Sequence, residues 1–145
     1  MLYITKKLGF SAAHRLYNPE FDDDKNEKVF DKCNNFYGHG HNYTLEVTIA
    51  GKPDTETGYL FDLKKLKDLI QNEIIDKVDH KHLNYDIDFL EGIIPTVENL
   101  AVVFWRILEK KLPQGKLYKI KINETDNSWV EYLGEEIEIK RFSKK

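Results

Sequence analysis

Residues 39–49 read His-Gly-His-Asn-Tyr-Thr-Leu-Glu-Val-Thr-Ile, and from Asn42 onward polar and apolar side chains alternate without a break. Alternation of this kind marks a half-buried β-strand, because successive side chains leave a strand on opposite faces. Tyr43, Leu45, Val47 and Ile49 form the inner face, and His39 and His41 extend it at the strand's start. The fold must therefore cover one face of this strand while two imidazoles point together from its end. Two such imidazoles are two-thirds of a minimal catalytic zinc site.

A third imidazole stands upstream. Leu8, Phe10, Ala12 and His14 share one parity, so His14 also ends an apolar face if residues about 2–14 form a strand. Two antiparallel neighbours would bring His14 to His39 and His41. Three neutral histidines leave a fourth tetrahedral position for water or substrate, which is the catalytic pattern. Any one of them alone reads as an ordinary, partly buried histidine. The spaced pair and the third residue of matching parity favour the metal.

Length and charge limit the alternatives. A chain of 145 residues supports one domain, 1–145, with one core. The 22 basic and 25 acidic residues give a net charge of −3 with no strongly basic stretch, so nucleic acid is not an expected partner. No apolar run has the length of a membrane span and the first residues do not resemble a signal peptide; a cytoplasmic protein without a membrane partner is expected. The one cysteine, Cys33, cannot form an internal disulfide, which fits a reducing compartment and raises the question of its reactivity.

The rest of the chain reads as α+β. Residues about 17–36 are polar and aperiodic and read as a long irregular connection that delivers Cys33. Gly51 to Gly58 reads as a turn. Asp62 is a candidate N-cap for a helix whose face carries Leu63, Leu66, Leu69, Ile70 and Ile74; a carboxylate near the metal is its alternative role. Residues 79–95 form a loop. Thr96 caps a second helix with an inner stripe of Val97, Leu100, Ala101, Phe104 and Leu108, stopped by Leu112-Pro113-Gln114-Gly115. In the next strand Tyr118, Ile120, Ile122 and Glu124 share a face, so Glu124 ends an apolar face as the histidines do. A carboxylate there is costly unless it meets a donor. A last strand spans about 128–142, interrupted near Gly134. The order β-β-α-α-β-β predicts a sheet with helices on one face.

Five motifs in this order resemble one enzyme family nearly end to end: Phe10-Ser11-Ala12-Ala13-His14-Arg15-Leu16; Cys33-Asn34-Asn35 through Gly38-His39-Gly40-His41-Asn42-Tyr43; Asp79-His80-Lys81; Pro95-Thr96-Val97-Glu98-Asn99; and Glu124-Thr125-Asp126-Asn127. The chain is similar to the 6-pyruvoyl-tetrahydropterin synthases and their relatives, the 6-carboxy-tetrahydropterin synthases. The resemblance implies the tunnelling fold, a four-stranded antiparallel sheet with two helices on one face. It also implies that protomers form trimeric β-barrels stacked into a homohexamer, with active sites at subunit interfaces. It implies zinc as cofactor, held by His14, His39 and His41, and 7,8-dihydroneopterin triphosphate as substrate. It assigns the catalytic thiol to Cys33 and an assisting dyad, from a neighbouring subunit, to Asp79 and His80. Glu124 becomes the anchor of the pterin ring, with Thr96 and Glu98 contacting or supporting it.

The residue types suit that chemistry. Eliminating triphosphate requires loss of carbon-bound protons beside hydroxyls, and a thiol can act as the base once its surroundings favour thiolate. A carboxylate behind His80 sets its tautomer and supports its charged form. A glutamate matches the adjacent N–H donors of an amino-pyrimidinone edge. Arg15 is a candidate for the triphosphate, or simply solvated surface. His82 cannot be told from His80 by physics; the motif alone selects His80.

Cys33 precedes His39 by six positions, a spacing that resembles the pyruvoyl type. The carboxy type, serving 7-deazaguanine (queuosine) synthesis, is the alternative product. Two non-enzymatic readings also stand: a closed structural zinc site in which Cys33 joins the three histidines, and a pterin- or purine-binding module without turnover.

Overall fold

The computed structural model describes residues 1–113 and 115–143. Strand β1, Leu2–His14, pairs antiparallel with β2, His39–Gly51, in unbroken register from Leu2 opposite Gly51 to His14 opposite His39. The expected alternation holds on both: Leu8, Phe10, Ala12 and His14 are buried on β1, and Tyr43, Leu45, Val47 and Ile49 on β2. The outer parity carries polar pairs such as Thr5 with Thr48 and Lys121 with Glu46. Strand β4, Lys116–Thr125, continues the sheet beside β2, and β5, Ser128–Tyr132, closes that side.

The sheet has five strands, not four. A two-residue strand β3, Lys81–His82, runs parallel to β1 at Ala12 and Ala13, giving the order β3-β1-β2-β4-β5. So short a strand has no periodicity, which is why residues 79–95 read as pure loop.

Helices cover the apolar face. Asp62 caps α2, Leu63–Ile70, by accepting from the Lys64 N–H. The helix passes through a π-helical segment, Gln71–Ile75, into α3, Asp76–Val78. The wider π turn lets adjacent Ile74 and Ile75 both be buried. Leu63, expected on the inner stripe, is exposed at the first turn. Thr96 caps α4, Val97–Lys111, by accepting from the Asn99 N–H. Leu100, Ala101, Phe104 and Leu108 are buried as expected, with Val97 partly buried. Leu112, Pro113 and Gly115 follow the helix; Gln114 lies outside the described residues. No helix among the described residues is long and apolar enough to cross a membrane.

Three further expectations give way. Residues 17–36 are ordered: α1, Asp23–Phe30, is capped by Asp22 and followed by a 3₁₀ turn, Asp31–Asn34. Its one buried residue is Asn26, whose amide pairs with the backbone of Asn18 in both directions. A helix held by a polar anchor has no apolar stripe for a sequence reading to find. Tyr118 is exposed and Leu117 buried, because the β2–β4 register slips between Thr48 and Ile49 and the extra residue reverses parity. The last strand ends at Tyr132. Residues 133–143 instead strap across α4 and the 88–94 loop, with Gly134 against the Trp105 ring and Arg141 donating to the carbonyls of Glu91 and Phe89. This second cover explains why Trp105 is buried off the inner stripe.

Candidate metal centre and active site

Register sets the cluster. His14 faces His39 directly, and His41, two residues along, lies opposite Ala12. The three imidazoles pack edge-on, with ring centroids 4.6, 5.2 and 4.8 Å apart. One ligating atom from each lies within 4.8 Å of the others. The cluster closes the apolar face where Tyr43 ends the core.

His14 is fully buried and oriented from behind. Its Nδ1 lies 2.8 Å from the Pro95 carbonyl oxygen, an acceptor, so Nδ1 carries the proton and Nε2 presents a lone pair to the cluster. The Tyr43 hydroxyl stands 3.3 Å from the same Nδ1. Burial, with smaller contributions from His39, His41 and His82, pushes the imidazole down to about 4, against the raising effect of the Pro95 bond. His39 is also lowered, first by burial and then by His41, with Glu124 opposing. Among the buried side-chain nitrogens and oxygens, His39 Nδ1 and His41 Nε2 have no hydrogen-bond partner. Three converging imidazoles, two of them with a buried nitrogen that has no hydrogen-bond partner, are the donor set of a divalent ion such as zinc. The residues present fit that cofactor.

Two other predicted residues join this end of the sheet. Glu124 Oε1, at the end of β4, is 3.8 Å from His41 Nε2. Cys33 is partly buried in the 3₁₀ turn, and its carbonyl accepts from the Leu16 N–H two residues past His14. Burial first, then the negative charges of Glu124 and Asp31, raise the thiol above its ordinary range. Among the described residues Cys33 is not in the metal-ligating group, which disfavours the closed four-ligand site.

Asp79 and His80 lie elsewhere. Asp79 Oδ1 accepts from the Ser11 N–H at 2.8 Å and sits 3.1 Å from His80 Nδ1. The Ser11 bond, ahead of the pairing with His80, holds the carboxyl below its usual range. His80 adopts a left-handed backbone, φ 61°, and its side chain is 83% exposed. Both the Ser11 N–H and the Ser11 carbonyl, which accepts from the His80 N–H, point along the sheet toward β3, so the dyad sits at that edge of β1. It borders a cavity of about 490 Å³ lined by Ser11, His41, Asn42, His80, Lys81 and His82.

Thr96 is engaged as a helix cap, and Glu98 is exposed in the first turn of α4. His82 accepts from the Asn84 N–H through Nδ1 and packs on Tyr85, leaving a buried Nε2 without a partner. The Arg15 guanidinium donates to Asn34 within the chain. Sequence reasoning missed the groups that orient His14. Tyr43 was legible by its parity; the Pro95 carbonyl has no side-chain signature.

The chain is similar to known proteins along most of its length. The sequence profile of the family "6-pyruvoyl tetrahydropterin synthase" matches residues 3–135. The 6-pyruvoyl tetrahydrobiopterin synthase of Homo sapiens is 45% identical over 132 residues, covering 91% of each chain. That of Poecilia reticulata is 46% identical, covering 92% of this chain and 90% of the relative. The solved Caenorhabditis elegans 6-pyruvoyl tetrahydropterin synthase superposes with a TM-score of 0.87 at 36% identity, covering 92% of this chain and 95% of that one. A 6-carboxy-5,6,7,8-tetrahydropterin synthase of Rickettsia bellii is more distant, at 29% identity, covering 90% of this chain and 99% of the relative.

Proposed function

We infer the function from kinship and site together: this chain belongs to the 6-pyruvoyl tetrahydropterin synthase family, and it is a lyase that eliminates triphosphate from 7,8-dihydroneopterin triphosphate to give 6-pyruvoyl-tetrahydropterin. The observation that carries this reading is the convergence of three imidazoles beside Glu124 and the Cys33 turn.

His14, His39 and His41 hold zinc. When bound, the ion supplies Lewis-acid stabilisation of negative charge developing on the substrate side chain. Cys33 accepts carbon-bound protons as general base. Burial first, and then the charges of Glu124 and Asp31, raise its thiol. Glu124 pairs with the N–H edge of the pterin ring through charge-assisted hydrogen bonds, and the same carboxylate bears on the Cys33 thiol. Glu124 thereby anchors the ring and links its binding to the base. Thr96 and Glu98 support the pterin from the start of α4.

Asp79 and His80 act on a neighbouring protomer's site. Their position at the β3 edge of β1, with His80 exposed, supports this. Such sharing requires an assembly, and trimeric barrels stacked as a homohexamer satisfy it. The enzyme is a single domain acting in the cytoplasm.

The test is incubation of the zinc-loaded protein with dihydroneopterin triphosphate, followed by mass spectrometry. The expected products are triphosphate and 6-pyruvoyl-tetrahydropterin. A 6-carboxy product would move the chain to the other branch, which the 45% and 29% identities disfavour. Tight pterin binding without triphosphate release would leave a binding module.

A further inference from the structure

We propose that Arg15 and Asn84 are positioning residues that lock the Cys33 turn and the loop after the Asp79–His80 dyad to the strand end carrying His14. The proposal rests on the reading of Cys33 as the proton-accepting thiol.

Arg15 directly follows His14. Its Nε donates to the Asn34 carbonyl at 3.0 Å and its Nη2 to Asn34 Oδ1 at 3.1 Å, so one planar fork takes two acceptors from the neighbour of Cys33. The guanidinium carbon lies 4.3 Å from the centroid of the Tyr17 ring and 5.3 Å from that of Phe36. The Leu16 N–H adds a 2.8 Å bond to the Cys33 carbonyl. On its other side, the Arg15 N–H donates to Asn84 Oδ1 and the Asn84 amide donates back to the Arg15 carbonyl, both at 2.8 Å. The Asn84 N–H in turn donates to His82 Nδ1. Arg15 and Leu16 thus tie together a metal ligand, the thiol turn and the loop beyond the dyad, which are remote in sequence.

A guanidinium engaged in this way is structural in the protomer rather than free for the triphosphate. It acts by place and not by charge, since the charges that bear on the Cys33 thiol are those of Glu124 and Asp31. A base must stand within hydrogen-bond reach of the proton it takes, so freeing the turn removes catalysis without removing binding.

The test uses the zinc-loaded enzyme. In Arg15→Met, kcat is expected to fall roughly 10- to 100-fold, as for about 1 Å of misplacement. KM and zinc content should stay at wild-type values. Iodoacetamide should alkylate Cys33 faster, with an unchanged pH midpoint, a readout that needs no turnover. Asn34→Ala should lose less activity, and adding it to Arg15→Met should cost little more, because both act through one contact. If Arg15→Met does not fold, Arg15→Lys carries the test: it keeps the charge, lacks the fork and should fall between wild type and the methionine variant. Wild-type kcat in Arg15→Lys, a loss of kcat that only tracks loss of zinc, or unchanged alkylation overturns the proposal. A wild type without turnover whose alkylation still responds to Arg15→Met would refute the lyase reading and leave the latch standing.

Discussion

His14 Nε2 and His39 Nε2 face each other at 3.1 Å across the end of the β1–β2 ladder. With the Nδ1 proton of His14 committed to Pro95, His14 Nε2 is the acceptor in this contact, and His41 brings a third imidazole to the same place. Three imidazoles so arranged suit a cation. His39→Ala is therefore expected to lower zinc affinity by more than about 100-fold, since loss of outer-shell partners alone costs 10- to 100-fold. Metal analysis after dialysis checks this, and wild-type zinc content would remove His39 from the site.

Stability of the metal-free protein should depend on pH through His14. Its imidazole titrates at about 4 in the folded chain against 6.5 ordinarily. Between those values the unfolded chain binds a proton that the folded chain refuses, so stability falls as pH drops through the window and is unaffected above it. The full loss is on the order of 3 kcal/mol. Urea unfolding at several pH values measures it. Replacement of His14 by a neutral residue should flatten the slope.

Cys33→Ala should retain zinc and pterin binding while kcat falls by about 10²- to 10⁴-fold, the usual contribution of a positioned general base. Zinc analysis, pterin titration and steady-state kinetics separate these effects. Turnover equal to wild type would refute the assignment of the base.

Glu124→Gln removes a charge that both contacts the cluster and raises the Cys33 thiol. The pH midpoint for Cys33 alkylation should move down, because the anion that opposes thiolate is gone. Pterin affinity should weaken by about 1.5–3 kcal/mol, the range for hydrogen bonds to a charged group. Unchanged affinity would count against the anchor role.

Gly38→Ala tests the entry to the cluster. Gly38 has φ +80°, and a methyl group there would lie 2.8 Å from the His14 carbonyl oxygen. Strain of about 1–3 kcal/mol is expected, with a lower melting temperature and weaker zinc binding as His39 shifts. A variant as stable as wild type would show that the β1–β2 end adapts freely.

Much of this was written locally. Alternation of side chains is a property of neighbouring residues, so it determined β1, β2, their inner faces and the shared direction of His14, His39 and His41 before any contact was known. The caps Asp62 and Thr96 were legible for the same reason, since a cap bonds within its own first turn. Only the tertiary structure decided what depends on distant partners. The slip between Thr48 and Ile49 exchanged Leu117 for Tyr118 in the core. The Asn18–Asn26 pairing held a helix that has no stripe, and a strap replaced the end of the last strand. The tautomer of His14 rests on the carbonyl of Pro95, 81 residues away, and the seat of Cys33 rests on Arg15 and Leu16. Backbone acceptors and long-range register carry no residue code, so geometry in three dimensions had to supply them.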